Sequence, residues 1–329
     1  HLMFRLNLKI AWRNLWKNKG YAAINICGLA LGLTAFVLML LYINHEESYD
    51  SWSPELNQVY QIREKHDLFT PDNKEHWNEI SNSKIAALLR TEVPQMIAVT
   101  KVDGGDRSRS SIKIDDADPV MINQIKDADS SFFYVFPHKF LQGSAEQALQ
   151  KPNTVVLNER LAIQLFGTVK ALGKSLKVVR WRSDKGTLLT VTGVVAEPTS
   201  PQTVSFNAIT RTGNKDKDPE NPAANNFCLI YSKVNKATDT AVLNQTLQNL
   251  YVNFKKIQLS KQKISYNDVY KNGKSPGLKV IPIKEAHANP PYALSWFEKL
   301  KPVMAISAFL LLVSVINFIN LATAQSVQR

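Results

Sequence analysis

Residues 21–43 read YAAINICGLALGLTAFVLMLLYI, an apolar run broken only by Asn25, Cys27, Thr34 and glycines. At about 1.5 Å per residue, a helix of that length spans about 30 Å, the thickness of the hydrocarbon core of a bilayer. The run exceeds the core of a signal peptide, and no small-x-small cleavage motif precedes Glu46-Glu47, so it is read as a transmembrane helix. A second run, VMAISAFLLLVSVINFINLATA at 303–324, contains Ser307, Ser314, Asn317, Asn320 and Thr323 but no charge, and follows Lys299, Lys301 and Pro302. It is read as a second span.

The flanks orient both. Residues 1–20 hold Arg5, Lys9, Arg13, Lys17 and Lys19 with no acid, whereas Glu46, Glu47 and Asp50 follow the first span, which places the N-terminus in the cytoplasm. Two spans return the chain to the cytoplasm at residues 325–329, and residues 44–302 become one extracytoplasmic insert, long enough for its own core. The sequence of 329 residues has a net charge of +12, but within 44–302 the excess is only about +6. No basic stripe with interleaved aromatics marks a nucleic-acid surface. Cys27, inside the first apolar run, and Cys228, in a distant polar region, provide no disulfide framework.

At 4–20, Arg5, Lys9, Arg13 and Lys17 recur every four residues, with Leu8, Ala11, Trp12, Leu15 and Trp16 on another face. This pattern suits a helix lying in the cytoplasmic headgroup region, and it equally suits a topology signal with no further role. In the first span, Gly28 and Gly32 with Ala35 form a small-residue face that admits another helix, although two glycines in such a run also arise by chance. In the second, Asn317 and Asn320 share a face and seek polar partners on neighbouring helices. Both features imply more helices than the chain supplies.

The insert reads as α+β. Strand signals lie at 57–65, 97–102, 111–115, 119–126, 154–157, 175–179, 188–195, 228–234 and 278–283. Helix signals lie at 79–92, in the aromatic stretch after Asp129, at 158–166 closed by Gly167, and at 238–256; residues 212–226 read as a loop. His45, His66, His76, His138 and His287 follow no metal-ligand spacing, and no nucleophile motif occurs. Gly173-Lys174-Ser175 and Gly273-Lys274-Ser275 fail as phosphate loops, because the required earlier glycine is replaced by Thr168 and Asp268. No catalytic, cofactor or metal residue is expected.

Ordered segments along the chain carry a resemblance: IAWRNLWKNKGYAAINICGLALGL near the N-terminus, HEESYDSW and NQVYQIRE after the first span, DSSFFYVFPHKFLQG, TVVLNERLAIQLFG, ALGKSL and VTGVV in the insert, and INFINLATAQSVQR at the end. Together they resemble the first half of a MacB/FtsX-type ABC transporter permease. The resemblance implies a periplasmic core domain with a porter-like α/β part at about 44–127 and 226–302 and a smaller β-rich subdomain at about 128–225. It also implies a type VII system in the bacterial inner membrane, in which ATP hydrolysis by a cytoplasmic ABC ATPase subunit is relayed to the periplasm by mechanotransmission, for export or efflux of peptide, antibiotic or lipoprotein cargo or for control of cell-wall hydrolases.

Such a permease is a non-catalytic subunit: ATP binds to the partner, not to this chain. Other partners implied are a second permease half or a homodimer mate, a periplasmic adaptor or outer-membrane component, and the lipid bilayer, with no nucleic acid. Asn158, Glu159, Phe166, Gly167, Gly173 and Lys174 match the core-domain motif and are read as fold determinants: a helix start, an apolar anchor and turn glycines. Gln325 stands where the motif commonly has Arg. No ATPase domain precedes the first span, His1-Leu2 before Met3 reads as an addition, and the chain ends before the further spans of such permeases, as a fragment would. Two other classes share the topology: a two-span membrane receptor with a periplasmic sensory domain, favoured by a ligand pocket in the insert, and a membrane-anchored enzyme, which needs a convergent set of perturbed titratable groups.

Overall fold

The computed structural model describes residues 13, 16, 19–65, 76–103, 110–114, 117–180, 186–211, 227–271, 274–291 and 293–327. They fall into two compact units, one drawn from residues 1–48 and 293–329, the other from residues 49–292. The chain opens with α1 (Lys19–Glu47). Leu31, Leu38 and Leu41 on this helix are all exposed, as expected of a helix whose surroundings are apolar rather than aqueous.

Residues 49–292 build two lobes. β1 (Val59–Lys65), the short β2 (Trp77–Asn78) and β3 (Ile80–Asn82), α2 (Ser83–Glu92) and β4 (Met96–Val102) begin the first. The second lobe takes β5 (Ser110–Lys113), β6 (Val120–Ile122), β7 (Ile125–Asp127), the one-turn α3 (Phe132–Val135), β8 (Phe140–Gln142), β9 (Thr154–Asn158), α4 (Glu159–Phe166), β10 (Ser175–Val179), β11 (Thr187–Val195) and β12 (Ala208–Arg211). The first is completed by β13 (Phe227–Val234), α5 (Thr240–Lys261), α6 (Tyr266–Val269), β14 (Leu278–Pro282) and α7 (Ile283–Ala288), and α8 (Trp296–Val327) follows.

In the first lobe the principal strands lie in the order β14–β1–β13–β4, every pair antiparallel. With α2 joining β1 to β4 and α5 joining β13 to β14, this is a split βαβ arrangement of the ferredoxin-like kind. Each helix starts where a short polar side chain takes over an unpaired N–H. Asn82 accepts from the Lys84 N–H at 3.0 Å, and Asp239 accepts from the Ala241 N–H at 2.8 Å. Ile85 and Leu89 of α2 and Leu243, Leu247 and Tyr251 of α5 recur on one face and pack with Ile62, Val99, Ile230 and Val280 of the sheet.

The second sheet runs β6–β5–β10–β11–β9–β12–β7, with β8 added on β11. It holds two parallel pairs, β9 with β11 and β7 with β12. Between the two sheets lies an aromatic core in which Phe132, Phe133, Phe136 and Phe206 meet Val59, Val102 and Tyr231 of the first sheet and Val156, Val195 and Ile209 of the second. Phe132 and Phe133 meet edge to face with centroids 5.0 Å apart.

Three sequence expectations are corrected. A boundary at 127/128 puts β5, β6 and β7 in the wrong lobe: Ile112 pairs with Val178 and Ile125 with Ala208, in the second sheet. The second lobe therefore starts near residue 103 and is about as long as the first rather than smaller, because a strand's local pattern does not reveal which distant strand it joins. The helix expected at 79–92 starts only at Ser83, since Ile80–Asn82 pair with Phe227–Leu229. The strand expected at 119–126 is split in two at Gln124, whose φ is +59°. The loop at 212–226 lies outside the described residues.

One carboxylate ties the lobes together. Asp129, fully buried just after β7, accepts from the Thr100 hydroxyl at 2.7 Å, the Lys101 N–H at 2.9 Å, the Ser131 N–H at 3.2 Å and the Arg90 guanidinium. Replacing Asp129 with Ala leaves these donors facing each other without an acceptor. The expected loss is about 3 kcal/mol or more, read as a lowered urea midpoint of the full chain in micelles.

Candidate functional site

The membrane-anchoring unit is a helix pair. The Ser314 hydroxyl of α8 lies 2.9 Å from the Gly28 carbonyl of α1 and 2.8 Å from the Leu310 carbonyl of its own helix. A Cβ on Gly32 would stand 3.3 Å from the Ser314 Oγ and 3.4 Å from the Leu310 carbonyl oxygen. The glycines thus allow backbone to meet backbone, and the chain's own α8 is a helix they admit. Asn317 and Asn320 belong to α8, but their side chains lie outside the described residues, as do Arg5, Lys9, Trp12 and Lys17. Arg13 and Trp16 are helical and exposed, and the Lys19 ammonium lies 4.4 Å from the Trp16 ring centroid. Both helices are long and apolar enough to cross a membrane, over Ile26–Glu47 and Trp296–Ile316.

The segment from Asn158 to Lys174 is local architecture. The Asn158 side chain accepts from the Leu161 N–H at 2.8 Å and opens α4, with Glu159 in its first turn. Gly167 closes the helix at φ +70°, a left-handed turn that favours glycine. Phe166 packs on the core of the second lobe, and the Lys174 ammonium lies 4.7 Å from its ring centroid. The Gly173 N–H donates to the Val191 carbonyl at 2.8 Å, joining this segment to β11.

The two ends of the lobed unit meet. Tyr49 stacks on His287 with centroids 3.5 Å apart and planes 13° from parallel. Asp50, at φ +54°, accepts from the N–H and the hydroxyl of Thr203, while its own N–H donates to the Pro201 carbonyl at 2.9 Å. Burial pushes the Asp50 carboxyl above its usual range, against the Thr203 hydrogen bonds and the charges of His287 and Lys284. On the neighbouring β1, the Arg63 guanidinium donates to the carbonyls of Ala286 at 3.2 Å and Asn289 at 2.8 Å, gripping the end of α7. Strands, turns and buried charges from distant parts of the chain make this junction, and no local motif announces it.

Chemical machinery is sparse. Among the described residues no group of three or more His, Cys, Asp or Glu could hold a metal ion. Cys228 is buried and its thiol pushed up to about 12, chiefly by desolvation, which makes it an unreactive core residue. His138 lies inside the aromatic core; its ring nitrogens are 3.0 Å from the Phe136 carbonyl and 2.9 Å from the Gln202 Oε1, yet burial outweighs these contacts and lowers its pKa. Two grooves, of about 420 and 440 Å³, are open and line themselves with residues of β4 and of the start of α5. The helix expected at 238–256 continues to Lys261 and brings lysines and tyrosines together near its end. The Lys255 and Lys256 ammonium groups lie 5.1 and 5.3 Å from the ring centroids of Tyr251 and Tyr266.

Two apolar helices packed on each other, and a two-lobed α/β domain in the sequence between them, define a membrane-anchored domain protein. The family described as the MacB-like periplasmic core domain matches residues 22–250, and the chain belongs to it. It is therefore a MacB/FtsX-type permease, of the type VII ABC transporter permease family. Its fold is similar to a domain from Porphyromonas gingivalis described as belonging to a permease protein, with 13% identity, TM-score 0.50, 75% of this chain covered and 98% of that one. It is also similar to the periplasmic region of MacB from Actinobacillus actinomycetemcomitans, with 14% identity, TM-score 0.42 and coverage of 69% and 90%. A third likeness is to the extracellular domain of the noncanonic ABC-type transporter YknZ from Gram-positive bacteria, with 13% identity, TM-score 0.40 and coverage of 68% and 99%. Comparison with curated proteins yields no match.

A Gly32→Leu substitution places a branched side chain where the helices have no room. In a Cys27→Ser background, cysteines placed at Gly28 and Ser314 should form an intramolecular disulfide in isolated membranes, seen as a mobility shift, and Gly32→Leu should abolish it. For His138, protonation is disfavoured in the fold, so the unfolded chain binds more protons below about pH 6.5. The stability this histidine contributes is complete above that pH and is lost as the pH falls through its depressed folded-state value. Urea midpoints followed from about pH 7.5 to 5 should fall less for His138→Gln than for the unaltered chain.

Proposed function

We propose that this chain belongs to a permease subunit that couples nucleotide hydrolysis in the cytoplasm to movement of a periplasmic domain, in the inner membrane of a bacterium. The observation that carries the reading is the family match across residues 22–250, which begins within α1, runs through the second lobe and ends within α5 of the first. The packing of α1 against α8 supports it, because a motion applied to one helix passes to the other through the backbone contact at Gly28 and Gly32. The tied ends at Tyr49 and His287 and the buried Asp129 support it too, because they give the lobes a stiff frame on which a pull could act.

In this reading the chain itself binds no ATP and performs no chemistry. A cytoplasmic ABC ATPase subunit supplies the energy, a second permease half or a second copy completes the membrane part, and an adaptor or outer-membrane component can meet the periplasmic lobes. The work done is export or efflux of a peptide, antibiotic or lipoprotein. Full-length protein purified from its own host should bring down an ABC ATPase, and the pair should hydrolyse ATP in a vanadate-sensitive manner. Repeated purification without any nucleotidase, or labelling of intact cells that puts the lobes in the cytosol, would overturn the proposal.

A further inference from the structure

Between Asp239 and Glu285 the sequence holds eight lysines, no arginine and a single acid, Asp268. That stretch alone accounts for the net positive charge of about +6 over residues 44–302, so the remainder of the two lobes is close to neutral. Half of those lysines lie at the end of α5 or in the turn after it, where Lys256, Ile257, Lys261, Lys263 and Ile264 are all exposed. Ile257 and Ile264, at 58% and 43% exposure, are large apolar side chains placed in water between cations. Lys255 differs, because it turns towards Glu64 at 3.6 Å.

The backbone adds an independent sign. α5 ends with the Lys263 N–H on the Ser260 carbonyl at 2.9 Å and the Ile264 N–H on the Leu259 carbonyl at 3.0 Å. This double bond pattern needs a left-handed residue, and Lys263 supplies it at φ +58°, where glycine is the usual occupant. A lysine bears a steric cost at that point which glycine would not, and strain of this sort collects where the side chain has a use.

We infer that this face docks on an anionic lipid surface, with the lysines among the headgroup phosphates and Ile257 and Ile264 in the boundary with the acyl chains. Charge complementarity and the interleaved isoleucines both fit a headgroup layer. An acidic protein would be better matched by arginine, whose planar fork pairs with carboxylates in two places, and this stretch contains none. The inference rests on the membrane-anchored reading of the chain but is tested apart from it.

The test uses the full chain held in phosphatidylcholine nanodiscs and offered two kinds of vesicle, one of pure phosphatidylcholine and one of equal parts phosphatidylglycerol and phosphatidylcholine. The mixed vesicles should capture the loaded discs and the pure ones should not. Each lysine near the surface contributes about fivefold, so K256Q/K261Q/K263Q should weaken capture about a hundredfold. All three positions are exposed, and unchanged circular dichroism checks the fold of the variant. Lys263→Gly should raise the thermal midpoint by relieving the left-handed residue while weakening capture about fivefold; a purely structural role for Lys263 predicts no change in capture. Equal capture of the unaltered chain and the triple variant would overturn the inference, since the basic residues before α1 are the same in both. Binding of polyglutamate without binding of the mixed vesicles would also overturn it, by assigning the face to an acidic protein. Failure of the chain to enter the discs at all would instead count against the membrane reading.

Discussion

A carboxylate withdrawn from water is stable only where donors replace its hydration shell, and Asp129 meets that demand by drawing four of them from both sides of the boundary between the lobes. Arg90 comes from α2, Thr100 and Lys101 from β4, and Ser131 from the turn that begins α3. Loss of any one leaves the buried carboxylate short of a donor. The geometry therefore fixes where the second lobe departs from the first sheet and where the aromatic turn carrying Phe132 and Phe133 enters the shared core. A similar arrangement appears at Asp127, which meets the Arg180 guanidinium at 2.9 Å and the Thr210 hydroxyl, and so ties the neighbouring strands β7 and β12 to the residue that follows β10.

Placement of function follows from this division of labour. The lobes gain rigidity from buried polar pins and a continuous apolar centre, while the helices gain contact from missing side chains. Gly28 and Gly32 matter because an absent Cβ lets Ser314 reach a main-chain carbonyl. In an apolar solvent, where hydrophobic burial drives no association between helices, such close packing is the principal source of specificity.

Much of the architecture was legible in the residues because its signals are local. The two apolar runs, the Asn158 cap, the left-handed Gly167 and the strands at 175–179 and 187–195 each depend on neighbours within a few positions. The assignment of β5, β6 and β7 was not legible, since the choice between sheets is made by partners more than 60 residues away such as Val178 and Ala208. The buried pins were equally silent: Arg90 and Asp129 are 39 residues apart and resemble any other surface pair until the fold closes over them. The helix contact was half visible, in that the small residues could be seen but their mate could not. The lysine face was only partly legible: Tyr251 and Lys255 stand four apart on α5, but Tyr266 meets Lys256 only after α5 turns into α6.

The hydrogen bond between Gly28 and Ser314 joins residues 286 positions apart, which makes it among the most non-local contacts a chain of this length can form. Closing a flexible loop of that size would cost about 5 kcal/mol in chain entropy, more than such a bond returns. The stack of Tyr49 on His287 removes most of that cost, because once the lobes have folded their two termini already lie together. The folded domain thus shortens the effective loop that the two helices have to close.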